Sequence, residues 1–323
     1  MTFNLLLLEE GSNQTPGLIE SWIPSLTDRV PDVRVFYATS VGEAMEMIGE
    51  CDAAFGTIVP ELLSRAKHLK WIASPQAGPK AGYYYRELID SNVIVTNTRE
   101  IYNEHISQHI MMMILSFSKG LHHYVHNQID HIWEKDYSPV YLPESTVLIV
   151  GVGGIGTETA RLCSEFGMTV IGLDPRLVHP PSGVQKLHKP EHLDSLLPDA
   201  DFVVVTVPET PSTQKLFDIE KFRLMKNTAF FINIGRGATV VLNDLAKALN
   251  ENELRGAGLD VYEIEPLPPE HALWDIDNVI LTPHCAAAGP YLDDRRTELF
   301  LDNCERFDKN LELRNIVDKA NWF

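Results

Sequence analysis

Val147-Leu-Ile-Val150 runs without a break into Gly151-Val-Gly153-Gly154-Ile155-Gly156, and a helical stretch, Thr157–Phe166, follows at once. The spacing is GxGxxG in the setting it needs: buried strand, tight turn, helix. Gly151 permits the turn, Gly153 lets a pyrophosphate approach the backbone, and Gly156 lets helix and strand pack closely. The helix N-terminus adds unsatisfied N–H groups and a positive dipole, so a dinucleotide is the implied ligand. The next strand, Thr169–Leu173, ends at Asp174, where an acid accepts hydrogen bonds from the adenosine ribose hydroxyls and repels a 2′-phosphate. NAD is therefore the expected cofactor, with Arg176 close behind as the residue through which NADP could be used instead.

Outward from this turn, strand and helix signals alternate in both directions. Upstream, Phe3–Leu8, Val33–Ala38, Ala53–Ile58, Trp71–Ser74 and Val93–Asn97 read as short buried strands, with helical stretches such as Gly42–Gly49 and Glu61–Lys67 between them. Ile101 to about Gln128 reads as one long helix, and a looser segment, Ile132–Pro143, carries Trp133, Tyr137 and Tyr141. Downstream strands are Phe202–Val207, Ala229–Ile234, Gly258–Val261 and Val279–Thr282, before a last amphipathic helix at about Leu292–Asn310. The expected fold is α/β, with two doubly wound parallel-sheet (Rossmann-like) domains and a cleft between them. Residues 1–98 with 291–323 form a discontinuous substrate domain, and 99–290 a dinucleotide-binding domain that includes a dimerisation helix.

Composition removes other classes. The chain has 323 residues, 44% apolar and 22% charged, enough for full cores. Its 45 acidic against 27 basic residues give a net charge of −18, which disfavours nucleic acid and anionic membrane as partners. No stretch approaches the roughly 20 apolar residues of a membrane helix. Cys51, Cys163, Cys285 and Cys304 are widely spaced, which fits a reduced, cytoplasmic protein.

Three further segments end strands in chemically useful residues. Phe231-Ile-Asn-Ile-Gly-Arg236-Gly237 ends in an arginine, Gly258-Leu-Asp-Val-Tyr-Glu263-Ile-Glu265-Pro266 in carboxylates, and Leu281-Thr-Pro-His284 in a histidine. Strand carboxyl ends are where open α/β sheets bind ligands. Reduction of a 2-oxo acid builds negative charge on the carbonyl oxygen, and a histidine titrating near neutrality can protonate it. A neighbouring carboxylate favours the imidazolium and fixes the ring. An arginine holds the substrate carboxylate and carbonyl through paired, planar hydrogen bonds.

With these pieces in place, the chain resembles the D-isomer-specific 2-hydroxyacid dehydrogenases over nearly its whole length, and their glyoxylate/hydroxypyruvate reductase-like branch most. The resemblance rests on Gly151–Gly156, Asn233–Gly237 with Asp244, Gly258–Pro266 and Thr282–His284. It implies that Arg236, Glu265 and His284 are catalytic, with Glu265 rather than Glu263 at the family's spacing. It also implies cofactor contacts at Val207, Pro208, Thr213, Ile234 and Asp260. The substrate carboxylate would meet backbone N–H groups in Ser74-Pro-Gln76-Ala77-Gly78, with Arg236 and His284 completing the substrate site. Pro79-Lys80, Tyr83-Tyr-Tyr85, Glu100 and Gln108 depart from the family pattern and bear on substrate identity rather than reaction class. The L-specific lactate and malate dehydrogenases begin with their dinucleotide turn, whereas here it lies mid-chain.

Some features point to rival readings. A corepressor-like, NAD-sensing scaffold shares this fold, and a formate or phosphite dehydrogenase is a third reading, though formate-type relatives usually carry a glutamine where Glu265 stands. His105/His109 and His122/His126 have i, i+4 spacing, but with no HExxH or third ligand they read as helix-face residues, and no metal is expected. Cys285 reads as a packing residue. A homodimer is expected through Ile101–Gln128 and the segment after it, because Ile106, Ile110, Met111–Leu115 and Phe117 surround most of that helix. In similar enzymes an aromatic near Trp133 approaches the neighbouring subunit's pocket.

Overall fold

Leu5-Leu-Leu-Leu8 is apolar at every position because both faces of its strand are covered. In the computed structural model, which describes residues 3–12, 14–78 and 82–322, Leu6 and Leu8 pack with Ala54, Ile72 and Val95 on one side. Leu5 and Leu7 pack with Phe55, Trp71 and Phe300 on the other. The chain divides into two compact units, Met1–Ile101 with Pro290–Phe323, and Tyr102–Gly289. We call them the composite and central units.

The composite unit has five strands: β1 (Asn4–Leu8), β2 (Arg34–Ala38), β3 (Ala53–Phe55), β4 (Trp71–Ala73) and β5 (Ile94–Thr96). They are parallel in the order β2-β1-β3-β4-β5, the flavodoxin-like winding. One face is closed by the helix Leu292–Asp308, whose Phe300 lies 4.8 Å from the Trp22 ring and 5.2 Å from Phe55. The following segment is tied in as well. Val317 donates its N–H to Val95 O, and Lys319 Nζ donates to the carbonyls of Leu88, Ser91 and Val93 at 2.7–2.9 Å.

The central unit has seven strands: β6 (Thr146–Val150), β7 (Thr169–Leu173), β8 (Lys186–His188), β9 (Phe202–Val205), β10 (Phe230–Asn233), β11 (Gly256–Leu259) and β12 (Val279–Leu281). Their order, β12-β11-β10-β9-β6-β7-β8, places β6 at the point where the winding reverses. That is the dinucleotide-binding arrangement, with ligands outside the strand carboxyl ends at the switch point. Alternation along β9 builds two cores. Val203 and Val205 join Phe217, Phe231 and Leu245, while Phe202 and Val204 join Met113, Phe117 and Phe230.

The structure departs from the sequence reading in four places. The long helix is two, Asn103–Lys119 and Leu121–Ile129, because Gly120 takes a left-handed φ of 71°. The ring of Tyr137 packs where a side chain at Gly120 would lie, so the break is also a docking notch. The helix after the phosphate turn starts at Gly154 rather than Thr157. Helix Leu18–Arg29, with Pro24 inside it, and the short edge strand β8 were not anticipated. Among the described residues, no helix is long and apolar enough to cross a membrane.

Candidate active site

The β6 turn is built as a cradle. Gly151 has a φ of 98°, and a Cβ there would lie 2.9 Å from Val207 Cγ1. At Gly156 a Cβ would collide with the carbonyl oxygen of Gly151, so helix and strand meet closer than any side chain allows. At Gly153 the nearest atom to a Cβ is Arg176 Nη2 at 4.0 Å, leaving the ground above this residue open. Gly154 is filled from behind by Asn103. The turn thus offers bare backbone at a helix N-terminus, which fits a pyrophosphate.

Asp174 is 2% exposed and does structural work here. Its Oδ2 accepts from Val152 N at 3.2 Å, and its Oδ1 from Arg176 N at 2.8 Å and Leu177 N at 3.2 Å. The Arg176 guanidinium is half exposed, with Nε 3.6 Å from Asp174 Oδ1. Asp174 therefore ties the end of β7 to the glycine turn with a cation beside it. The loop after β9 lies against the same turn. Val207 touches Gly151 and Gly235, and Thr213 Oγ1 donates to Pro208 O at 2.7 Å. Ile234 is buried and pairs with Val205 O.

The strand-end residues of the central unit converge. Arg236 follows β10 and donates Nη1–H to Gly235 O at 2.6 Å. Burial holds its pKa below the ordinary arginine value, opposed by the carboxylates of Glu209 and Glu265. Gly237 packs against the Tyr262–Glu263 backbone, where a Cβ would overlap it, so the arginine turn sits directly on the β11 loop. The two glutamates of that loop separate clearly. Glu263 Oε2 accepts from Leu242 N at 3.0 Å, at the start of the helix Leu242–Asn250. Glu265 Oε2 instead lies 2.8 Å from His284 Nδ1, and its Oε1 accepts from Tyr262 N at 3.1 Å. With Nδ1–H given to the carboxylate, Nε2 of the half-exposed imidazole is the atom left for proton exchange.

His284 sits at φ 52°, a left-handed conformation that costs a residue with a Cβ roughly 1–2 kcal/mol. Its neighbours explain why it holds. Asp260, 1% exposed, accepts from Thr282 Oγ1 at 2.6 Å and Cys285 N at 2.9 Å through Oδ1, and from Ala286 N at 2.9 Å through Oδ2. Tyr262 Oη donates to Thr282 O at 2.9 Å. Burial and the Asp260 charge push the Cys285 thiol up, which keeps it protonated at neutral pH. His109, assigned by spacing alone to a helix face, has Nε2 3.0 Å from Thr282 Oγ1. Tyr262, Thr282 and His109 had no assigned role from sequence; the one available signal was the His105/His109 repeat. Among the described residues, no group of three or more His, Cys, Asp or Glu could hold a metal ion.

In the composite unit, Gln76–Gly78 follows β4. Gln76 N donates to Ser74 Oγ at 3.4 Å, and Asn97 Nδ2 holds Ala77 O at 2.9 Å, which shapes the loop around its own backbone. Pro79 and Lys80 lie outside the described residues.

Comparison with known proteins gives a consistent result. Residues 111–286 match the family described as D-isomer specific 2-hydroxyacid dehydrogenase, NAD binding domain. A glyoxylate reductase of Korarchaeum cryptofilum is 29% identical over 287 residues, 85% of this chain and 85% of that one. A glyoxylate reductase of Thermofilum pendens is 34% identical over 227 residues, 67% of this chain and 66% of the other. Among solved structures, the NADPH-dependent glyoxylate/hydroxypyruvate reductase of Sinorhizobium meliloti, in complex with NADP and sulfate, is similar with a TM-score of 0.83. It is 28% identical, and the match covers 99% of this chain and 100% of that one.

Proposed function

This chain belongs to the D-isomer-specific 2-hydroxyacid dehydrogenase family, oxidoreductases acting on CH–OH, and from that premise we propose that it interconverts a small 2-oxo acid and its D-2-hydroxy acid, with glyoxylate and hydroxypyruvate the first candidates. The observation that carries this reading is the 2.8 Å His284–Glu265 pair, set on strand-end loops beside Arg236. A bound nicotinamide supplies or takes the hydride. Arg236 pairs with the substrate carboxylate and carbonyl oxygen in a fork that lysine cannot reproduce. His284 Nε2 gives a proton to the oxygen that gains charge in reduction, and takes it back in oxidation. Glu265, held by Tyr262 N, keeps the ring oriented through its bond to Nδ1. Backbone N–H groups of Gln76, Ala77 and Gly78 are the proposed further partners of the carboxylate.

We take NAD(H) as the cofactor, with Gly151, Gly153, Gly154, Ile155 and Gly156 around the pyrophosphate and Asp174 on the ribose side. We assign Val207, Pro208, Thr213, Ile234 and Asp260 to the nicotinamide side of that proposed site. A second reading, NADP(H) through Arg176, is favoured by one observation: Asp174 already receives three backbone N–H groups while Arg176 stands half exposed above Gly153. Four free cysteines suit a reducing compartment such as the cytoplasm. A homodimer is proposed through Ile101–Gln128 and the segment after it, as the sequence suggested, but by the second half of that stretch. Ile110, Met113, Ile114 and Phe117 are buried in their own unit, whereas Leu121, Val125 and Ile129 form an exposed apolar stripe at i, i+4 spacing, and Trp133, a little further along the chain, is 96% exposed.

The test is oxidation of NADH and of NADPH by purified protein with glyoxylate, hydroxypyruvate, pyruvate and bulkier 2-oxo acids. Turnover of a small 2-oxo acid supports the reading. Cofactor binding with no turnover of any would favour the scaffold alternative, and a kcat/KM ratio above tenfold toward NADPH would favour Arg176 over Asp174 as the discriminating residue.

A further inference from the structure

His105 and His109 stand one turn apart on the helix Asn103–Lys119, and both meet the loop that bears His284. At its near end, His109 Nε2 lies 3.0 Å from Thr282 Oγ1. The Thr282 hydroxyl has one hydrogen, and Asp260 Oδ1 at 2.6 Å receives it in preference to Leu259 O at 3.4 Å. An ionised carboxylate only accepts, so the hydrogen between His109 and Thr282 must belong to the histidine. Burial lowers the His109 pKa against the pull of Asp260, which suits a neutral imidazole donating through Nε2–H. At the far end, a Cβ on Gly289 would come within 2.8 Å of the His105 ring, so the loop backbone at Gly289 lies flat against that ring. Between these contacts are the left-handed His284 and the two N–H groups, Cys285 and Ala286, that Asp260 receives.

We propose that His109, acting through Thr282 and Asp260, is a positioning residue that keeps the His284 imidazole aimed at Glu265, with His105 stopping the loop at its other end. The inference rests on reading His284 as the acid–base group. His109 touches neither reacting atoms nor cofactor in this account; it orders the hydrogen bonds that make an unfavourable backbone conformation the only one available. Small displacements of such a group are costly, since about 1 Å of misplacement can lower turnover roughly 100-fold.

Three variants test the idea: His109→Leu, which keeps bulk and loses the donor; His109→Gln, whose amide restores one; and Thr282→Val, which removes the hydroxyl between them. The expected result is a fall in kcat of about tenfold or more in the leucine and valine variants, with KM and cofactor affinity within about threefold, and substantial recovery in the glutamine variant. Amide exchange at Cys285 and Ala286 should accelerate at least about tenfold in the same two variants while β6 and β9 stay protected. Exchange needs no substrate, so it judges the relay even if the wild-type protein reduces no 2-oxo acid, an outcome that would sink the proposed function instead. Unchanged Cys285 and Ala286 exchange in His109→Leu overturns the inference. So does a glutamine variant as impaired as the leucine one, which would mark a packing role. Should His109→Leu fail to fold, Thr282→Val, with almost no change in volume, decides alone by the same two readouts.

Discussion

Asp260→Asn is the change whose cost follows most directly from the geometry. The carboxylate receives Thr282 Oγ1–H and Cys285 N–H on one oxygen and Ala286 N–H on the other. An asparagine offers one acceptor oxygen and an NH₂ that can only donate. With its oxygen toward Thr282 and Cys285, the NH₂ faces Ala286 N–H. Flipped, the NH₂ faces Cys285 N–H, and only the threonine hydroxyl can turn to accept from it. Either orientation leaves one backbone N–H, buried at Ala286 or partly buried at Cys285, without an acceptor, worth about 1–3 kcal/mol. The remaining bonds lose their charge assistance, which roughly doubles such interactions. Relief from burying the carboxylate charge offsets part of this. The net loss should be on the order of 2–3 kcal/mol. Urea denaturation measures it, with amide exchange in β9 and β10 reporting on the central unit alone. Turnover should fall further than stability, because the loop that relaxes carries His284. A loss below about 0.5 kcal/mol would refute the reasoning, since the turn would then be held by something other than this carboxylate.

Other outcomes follow from the same structure. Arg236→Ala should lower kcat/KM by several orders of magnitude while NADH binding persists, and Arg236→Lys should recover little; near-normal turnover in either would remove the arginine from the chemistry. Burial holds both His109 and His122 below their ordinary pKa, so the folded state binds fewer protons than the unfolded one. Their contribution is complete above pH about 6.5 and is lost as pH falls from there through the depressed folded values. The urea midpoint should therefore drop between pH 7 and 5.5, less steeply in His109→Gln; a flat profile contradicts the assignment. Light scattering should give a dimer at micromolar concentration, and Val125→Glu with Ile129→Glu should give a folded monomer. A wild-type monomer would end the dimer proposal.

How far the sequence could be read depended on whether a signal was local. The glycine turn announces itself because three positions carry separate steric demands, and the structure shows a different one at each of Gly151, Gly153 and Gly156. Buried strands were legible as uninterrupted apolar runs. β8 was not, since Lys186-Leu-His188 is an edge strand with a single apolar residue. The break at Gly120 was hidden because helical periodicity continues through it, and the Tyr137 ring that fills the space of a side chain there comes from a later segment. Glu263 and Glu265 look alike in one dimension and part company only by what each meets, Leu242 N or His284. His109 was set aside for want of a third metal ligand. Its partner is a threonine far along the chain, which no local pattern reveals.

The composite unit also dictates an order of events during synthesis. Trp22 and Phe55 sit under Phe300, and Trp71 has Phe307 at 5.4 Å, so one face of the composite unit's sheet is sealed by a helix translated after the whole central unit. The ribosome makes the strands β1–β5 and must then finish the whole central unit before that helix emerges. The interior unit can reach its native state while the leading segment still shows bare tryptophan and phenylalanine to the cell. That early-made sheet, rather than the nucleotide fold, is where nascent-chain chaperones have most to bind.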